Sequence, residues 1–213
     1  MKRIAGALVI AGLSLAAGLA VAQETGLVAK GLKAGVGSYQ FSGDDKVLDG
    51  HWPHPRTGLA GGAFATFALG SAVALQPELL YVTKGANYKE GDEKYTFKLD
   101  YLELPLLLKY RFPTSCSLRP SLFAGPAVSF KLSARGVHEG NGEETEEDLD
   151  NCQDWDVGVA VGGGLDFAAA GSTITFDVRY TIGLRSWWKT DNTLDDEDSR
   201  KNGGWLAALG YAF

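Results

Sequence analysis

Apolar and polar residues alternate strictly along residues 173–187. One face of this segment carries Ile174, Phe176, Val178, Tyr180, Ile182 and Leu184. The other face carries threonine, glycine and the charged residues Asp177, Arg179 and Arg185. A period of two, with many β-branched and aromatic side chains, is typical of a strand whose two faces meet different environments. The segment is therefore predicted to be a β-strand with one apolar and one polar face.

The same alternation recurs along the rest of the chain. It is clear in residues 155–167 and 203–213, and it is present with less regular ends in residues 30–42, 58–69, 73–85, 94–112 and 118–137. Together these segments predict eight strands. An even number of strands is what single-chain bacterial membrane barrels have.

The connections between the predicted strands alternate in length. Residues 70–72, 113–117 and 168–171 form short turns, whereas residues 43–57, 86–93, 138–154 and 188–202 form longer polar loops. Outer-membrane barrels have short turns on the periplasmic side and long loops on the extracellular side. The alternation in length therefore predicts that the short turns lie at one end of a barrel and the long loops at the other end.

The charged residues within the strands indicate which face points outward. Glu103 and Lys109 alternate with a row of leucines in residues 102–108. A membrane barrel places such leucines in lipid and the charged groups inside. We therefore predict an all-β, eight-stranded, antiparallel up-and-down transmembrane β-barrel. A soluble, exported lipocalin-like barrel, with the apolar face turned inward around a ligand, is the alternative.

Several longer stretches resemble a known family. These are residues 75–81 (LQPELLY), 101–110 (YLELPLLLKY), 120–126 (PSLFAGP) and 162–166 (GGGLD). They resemble the bacterial outer-membrane β-barrel family labelled PorT-like or porin-family. The resemblance implies a location in the outer membrane of a Gram-negative cell. It also implies that Tyr211 and Phe213 form a C-terminal signal for the assembly machinery, with periplasmic chaperones as earlier partners.

The N-terminal 22 residues have the pattern of a secretory signal peptide. Lys2 and Arg3 precede an apolar stretch, and residues 20–22 (AVA) form a cleavage site. The mature barrel domain is then predicted to cover residues 23–213, with a net charge of −8. This negative charge argues against nucleic acid as a partner, because phosphate binding requires a basic surface.

An eight-stranded barrel is only wide enough for side chains to fill its interior. The charged side chains predicted inside should therefore pair, because an unpaired buried charge is costly. The predicted network comprises Glu78, Glu103, Lys109, Asp166, Asp177, Arg179 and Arg185, with Lys98, Asp100, Lys131 and Asp156 as further interior charges. A narrow channel for small solutes is the alternative.

No residue pattern indicates catalysis, a cofactor or a dedicated metal site, so we predict a non-enzymatic protein.

The long loops and long strands suggest a role at the cell surface. Residues 138–154 and 188–202 are rich in Asp and Glu, and several strands exceed the length needed to cross a membrane. We predict a surface partner for these loops, with contacts to lipid and lipopolysaccharide and with divalent-cation bridging as a further option.

Cys116 falls in a periplasmic turn and Cys152 in an extracellular loop. The two cysteines should therefore not be bonded to each other.

Overall fold

The computed structural model describes residues 26–42, 54–90, 93–140, 143–149, 152–169, 171–186 and 201–213. The predicted signal peptide and most of the loops 43–57 and 188–202 lie outside these ranges. The regular elements in the described ranges are nine strands: β1 (Gly26–Ser42), β2 (His54–Ala68), β3 (Val73–Glu90), β4 (Glu93–Arg111), β5 (Leu118–Gly140), β6 (Glu143–Asp148), β7 (Trp155–Ala169), β8 (Ser172–Ser186) and β9 (Lys201–Ala212). No helix in the described part of the chain is long and apolar enough to cross a membrane.

Eight of these strands form a closed antiparallel ring in the order β1-β2-β3-β4-β5-β7-β8-β9. The last strand closes on the first, with pairs running from Gly31↔Ala212 to Ser42↔Lys201. Closure gives every barrel strand two neighbours, so that no backbone edge is left unpaired in lipid. The prediction of an eight-stranded antiparallel barrel is confirmed.

Two predicted loops are wrong in part. Residues 86–93 were expected to form a loop, but β3 continues to Glu90 and β4 begins at Glu93, so the two strands pair almost to their tips. The expected loop 138–154 contains the ninth strand, β6. Polar composition favours loops only weakly, and pairing with a neighbouring strand overrides it. An edge-to-face contact between Tyr88 and Phe97, with ring centroids 5.7 Å apart, adds an aromatic pair to the extended hairpin.

The ninth strand belongs to a sheet that rises above the barrel. β5 pairs with β7 only from Leu118 to Phe130, and its upper part, from Arg135 to Gly140, pairs with β6 instead. β4 accompanies β5 throughout this change of partner. We call residues 83–90, 93–100, 131–140 and 143–148 the projecting sheet. It stands at the extracellular end, opposite the short turns.

The two faces of the barrel wall are chemically opposite. Large apolar side chains are exposed on the outside, as shown by Leu32 at 65%, Leu59 at 63% and Leu209 at 61% exposure. Charged side chains are buried on the inside, with Lys33 at 5% and Arg179 at 3%. This is the arrangement of a membrane barrel and the reverse of a soluble one. The lipocalin-like alternative, which requires the aliphatic face to point inward, is therefore excluded.

Candidate functional site: the barrel interior and its two mouths

Six charged side chains meet in the middle of the barrel. Lys33 Nζ lies 2.6 Å from Glu78 Oε1 and also contacts Asp177 Oδ2. Arg179 donates to Glu78 Oε2 at 2.7 Å and to Glu103 Oε1 at 3.3 Å. The other oxygen of Glu103 lies 2.6 Å from Lys84 Nζ. We call these residues the central charge network: Lys33, Glu78, Lys84, Glu103, Asp177 and Arg179.

The central charge network crosses the full width of the barrel. Glu78 lies on β3 and Arg179 on β8, and these two strands are four places apart in the ring of eight. Three cations face three carboxylates, so the network is neutral as a whole. All six side chains are almost completely buried. Such burial is tolerable because each ion has a partner of opposite sign.

Neutral groups complete the hydrogen bonding around the network. Gln76 donates to Glu78 at 2.7 Å, and Ser129 donates to Glu103 at 3.3 Å. Glycines on β7 leave room for the long charged side chains. A Cβ atom at Gly164 would collide with the carboxylate of Asp177, and one at Gly162 would collide with the stem of Arg179. The glycine-rich part of β7 thus provides the space that the network occupies.

The predicted interior residues divide into three groups. Glu78, Glu103, Asp177 and Arg179 come together in the central charge network. Lys109 and Asp166 pair with each other at 2.9 Å, nearer the periplasmic end. Arg185 is not part of either group. It lies at the extracellular rim, donates to the carbonyl of Trp155 at 3.2 Å and stacks over that indole ring at 3.9 Å.

The side chains of Lys98 and Asp100 do not point into the barrel. They alternate with the inward residues Leu99 and Tyr101, so they lie on the outward face of the projecting sheet. Asp100 there accepts a hydrogen bond from Ser133 at 3.3 Å. The expectation that Lys98 and Asp100 are interior charges is therefore wrong.

Two other expected interior charges lie near the extracellular mouth. Asp156 is buried and accepts a hydrogen bond from the amide of Asn202 at 3.5 Å. Lys131 is partly buried and donates to the carbonyl of Cys152 at 3.0 Å. Neither residue pairs with the central charge network.

Two members of the network, Lys33 and Lys84, were missed. On β1, Lys33 shares its face with Gly31, Gly35 and Gly37, which are the small residues expected inside a narrow barrel. Lys84 shares the face of Glu78 and Leu80 on β3. The alternation therefore carried a signal for both lysines.

An apolar cluster lies at the extracellular end of the barrel, where the projecting sheet begins. Its buried members are Ala86, Tyr88, Leu99, Tyr101, Ala134 and Cys152. Cys152 is fully buried in this cluster, whereas Cys116 is exposed in the turn between β4 and β5. The two cysteines are not bonded to each other, as predicted.

The periplasmic mouth contains a cavity of about 310 Å³. All eight barrel strands or their turns contribute to its lining, and its charged residues are Lys109, Arg111, Arg119 and Asp166. Tyr211 and Phe213 lie outside this mouth, with side chains exposed by 53% and 63% on the lipid-facing surface. No group of three or more His, Cys, Asp or Glu side chains suited to a metal occurs in the described ranges.

Comparison with solved structures gives low sequence identity to several outer-membrane barrels. OprG from Pseudomonas aeruginosa is 12% identical over 89% of this chain and 96% of its own, with a TM-score of 0.49. Neisserial surface protein A is 14% identical over 87% and 99%, with a TM-score of 0.46. Ail from Yersinia pestis, solved with the heparin analogue sucrose octasulfate, is 13% identical over 90% and 100%, with a TM-score of 0.41.

A search of curated proteins gave no match. A family model described as the outer membrane protein beta-barrel domain matches residues 21–188. The match covers most of the chain, and it agrees with the closed ring, the apolar outer face and the charged interior. The chain therefore belongs to the outer membrane protein beta-barrel domain family.

Proposed function

We propose that this protein is a non-conducting, non-enzymatic outer-membrane barrel that acts at the cell surface through its projecting sheet. The supporting observation is the central charge network, which joins opposite walls of the barrel with directly paired ions. Ions or solutes would have to break several buried ion pairs to pass, and each such break leaves an uncompensated buried charge. The narrow-channel alternative has no comparable support, although the periplasmic cavity provides a partial path.

The test of a closed barrel is conductance in planar lipid bilayers. The wild-type protein should give no current steps above the lipid background. A variant that shortens both central cations, Lys33→Ala with Arg179→Ala, serves as the comparison, because it removes the groups that bridge the lumen. Resolved steps from the folded wild-type protein would contradict the proposal and support a channel.

The surface role is supported by the edge strand of the projecting sheet. In the described part of the chain, β6 pairs only with β5, so its second edge is open. Glu144, Glu146, Glu147 and Asp148 of β6 are all exposed. An open edge accepts an added strand through main-chain hydrogen bonds, and flanking carboxylates favour a basic one. We therefore propose an extended segment rich in Lys or Arg as the partner.

A synthetic peptide of alternating lysine and threonine is a suitable probe for this partner. The full mature protein in non-ionic detergent should bind it, with affinity that falls as salt is raised. The double variant Glu144→Gln, Glu147→Gln should bind several-fold more weakly. The control variant Asp44→Asn, Asp45→Asn removes the same charge from the predicted loop 43–57 and should bind as the wild type does. Binding that is absent, or equal in all three proteins, would overturn the partner assignment.

The placement in the membrane implies further partners. Lipid would contact the outward aliphatic face, lipopolysaccharide would surround the extracellular half, and the assembly machinery would act during insertion.

Export through a signal peptide cleaved after Ala22 completes the proposal. N-terminal sequencing of the membrane-purified protein should then begin at Gln23, and an intact Met1 would contradict cleavage.

A further inference from the structure

The cavity at the periplasmic mouth, which we call the periplasmic vestibule, has a defined floor and opening. Towards the barrel centre it reaches Thr66 and Gln76; Thr66 donates to Gln76, and Gln76 donates to Glu78 of the central charge network. At its open end it is lined by Cys116 and Ser117 of the turn between β4 and β5. The vestibule is therefore a pocket entered from the periplasm, with the central charge network between it and the extracellular end.

The periplasmic vestibule carries an excess of positive charge. Lys109 is matched by Asp166 at 2.9 Å. Arg111 and Arg119 also line the vestibule, and in the described part of the chain neither forms an ion pair with a carboxylate. Arg111 lies within electrostatic range of Arg119, which repels it, and of Asp166, which attracts it. Three cationic side chains and one carboxylate line the vestibule, and this excess of positive charge favours the entry of an anion.

Two hydrogen-bond donors in the same pocket lack partners. Thr175 is only 5% exposed, and its Oγ1 makes no hydrogen bond to the described protein atoms. Arg111 Nε is likewise buried without a protein acceptor. Both residues line the vestibule. Buried donors are normally satisfied, so a ligand for this pocket should present hydrogen-bond acceptors.

The combination of guanidinium forks, a lysine and a hydroxyl is the chemistry that recognises phosphate and carboxylate groups. A guanidinium can bind two oxygens of such a group at once, with bonds stronger than those between neutral groups. We propose that the periplasmic vestibule binds a small oxyanion group, held by Arg111, Arg119 and Thr175. The group is either free phosphate or the terminal carboxylate of a peptide, and both are accessible only from the periplasmic side.

The proposal is tested by titrating the full mature protein, in non-ionic detergent and phosphate-free buffer, with inorganic phosphate. A second titration uses N-acetyl-D-alanyl-D-alanine, with its C-terminal amide as the uncharged control. Calorimetry measures affinity, and the backbone amide NMR signals of Thr175 and Gly210 report the place of binding. The variants are Arg111→Gln with Arg119→Gln, the isosteric Thr175→Val, and Arg185→Gln as a matched arginine control at the opposite mouth.

We expect saturable binding of at least one anion to the wild-type protein and to Arg185→Gln. The double arginine variant should bind at least about tenfold more weakly, because it loses two charge-assisted contacts. Preference for phosphate over the dipeptide, or the reverse, identifies the source of the oxyanion. No saturable binding of either anion to the wild-type protein, or equal binding to the double variant, would overturn the proposal. Failure of this test leaves the closed-barrel proposal untouched, since that proposal depends on conductance.

Discussion

Arg179 on β8 donates a hydrogen bond to Glu78 on β3 across the full width of the barrel, 2.7 Å long and spanning 101 residues of sequence. Both side chains are inaccessible to solvent. The same guanidinium also reaches Glu103 at 3.3 Å. One arginine therefore ties two strands on one side of the barrel to a strand on the other side.

Removing this arginine should destabilise the barrel strongly. Arg179→Met removes the cation that Glu78 and Glu103 share and leaves both carboxylates buried. Breaking a buried ion pair in this way costs about 3–5 kcal/mol. The free energy of unfolding, measured in urea with detergent-solubilised protein, reports the change. The control Arg185→Met, at the partly exposed rim, should cost no more than about 1 kcal/mol. A similar small loss for Arg179→Met would mean that the network contributes little to stability.

Docking of β6 on β5 should weaken in acid. Arg135 donates a hydrogen bond to Glu146 at 2.6 Å in the projecting sheet, and this bond holds the pKa of the Glu146 carboxyl below its ordinary value. Because the pKa is lower in the folded state, the bond contributes fully above the unfolded pKa. That contribution is lost as the pH falls through the folded pKa.

The amide NMR signals of Glu146 and Val137, which are paired across β5 and β6, should report this acid transition. Glu146→Gln removes the titrating group and should abolish it. Glu144→Gln, two inter-strand pairs away on the same exposed strand, should retain it. A transition that persists in Glu146→Gln must come from another group and would refute the assignment.

The two cysteines allow a test of orientation. Cys116 is exposed in a periplasmic turn and Cys152 is buried in the apolar cluster. A membrane-impermeant maleimide should leave intact cells unlabelled and should label Cys116 once the outer membrane is permeabilised. Cys152 should react only after denaturation. A Glu146→Cys substitution in a Cys116→Ser, Cys152→Ser background should be labelled in intact cells, and failure to do so would contradict the extracellular position of β6.

The C-terminal aromatic residues are expected to matter for assembly rather than for the stability of the finished barrel. Phe213 is 63% exposed to the lipid side, so its removal deletes few protein contacts. Phe213→Ala should lower the amount of protein inserted into the outer membrane in cells, while spontaneous folding into detergent micelles is retained. Phe167→Ala, another exposed aromatic on the lipid side, is the control. Equal insertion of both variants would argue against Phe213 as an assembly signal.

Alternation along the chain predicted the faces of the strands well. The row of leucines around Glu103 lies on the outward face and Glu103 itself on the inward face, where the pattern placed them. The reason is local, because successive side chains of a strand must point to opposite faces. The same local rule would have placed Lys33 inside the barrel and Lys98 outside it.

Alternation assigns a side chain to one face of its strand. It does not give the position of that side chain along the barrel axis or the residue that it contacts. Arg185 has the same parity as Asp177 and Arg179, yet it lies at the rim, above the network. Lys33 reaches Asp177 although 144 residues separate them. These relationships follow from the register of all eight strand pairings and from the stagger that closes the ring.

The sequence by itself determined the strands, their faces and the membrane as the surroundings of the barrel, since each depends on the residues next to one another. Tertiary structure alone decided which charges meet, that the two lumen-facing arginines at the periplasmic mouth share one pocket, and that part of an acidic loop becomes strand β6. That strand exists because β5 continues beyond the last residue that β7 can pair with. β6 therefore pairs with β5 from Arg135 to Gly140, where β7 no longer pairs with it.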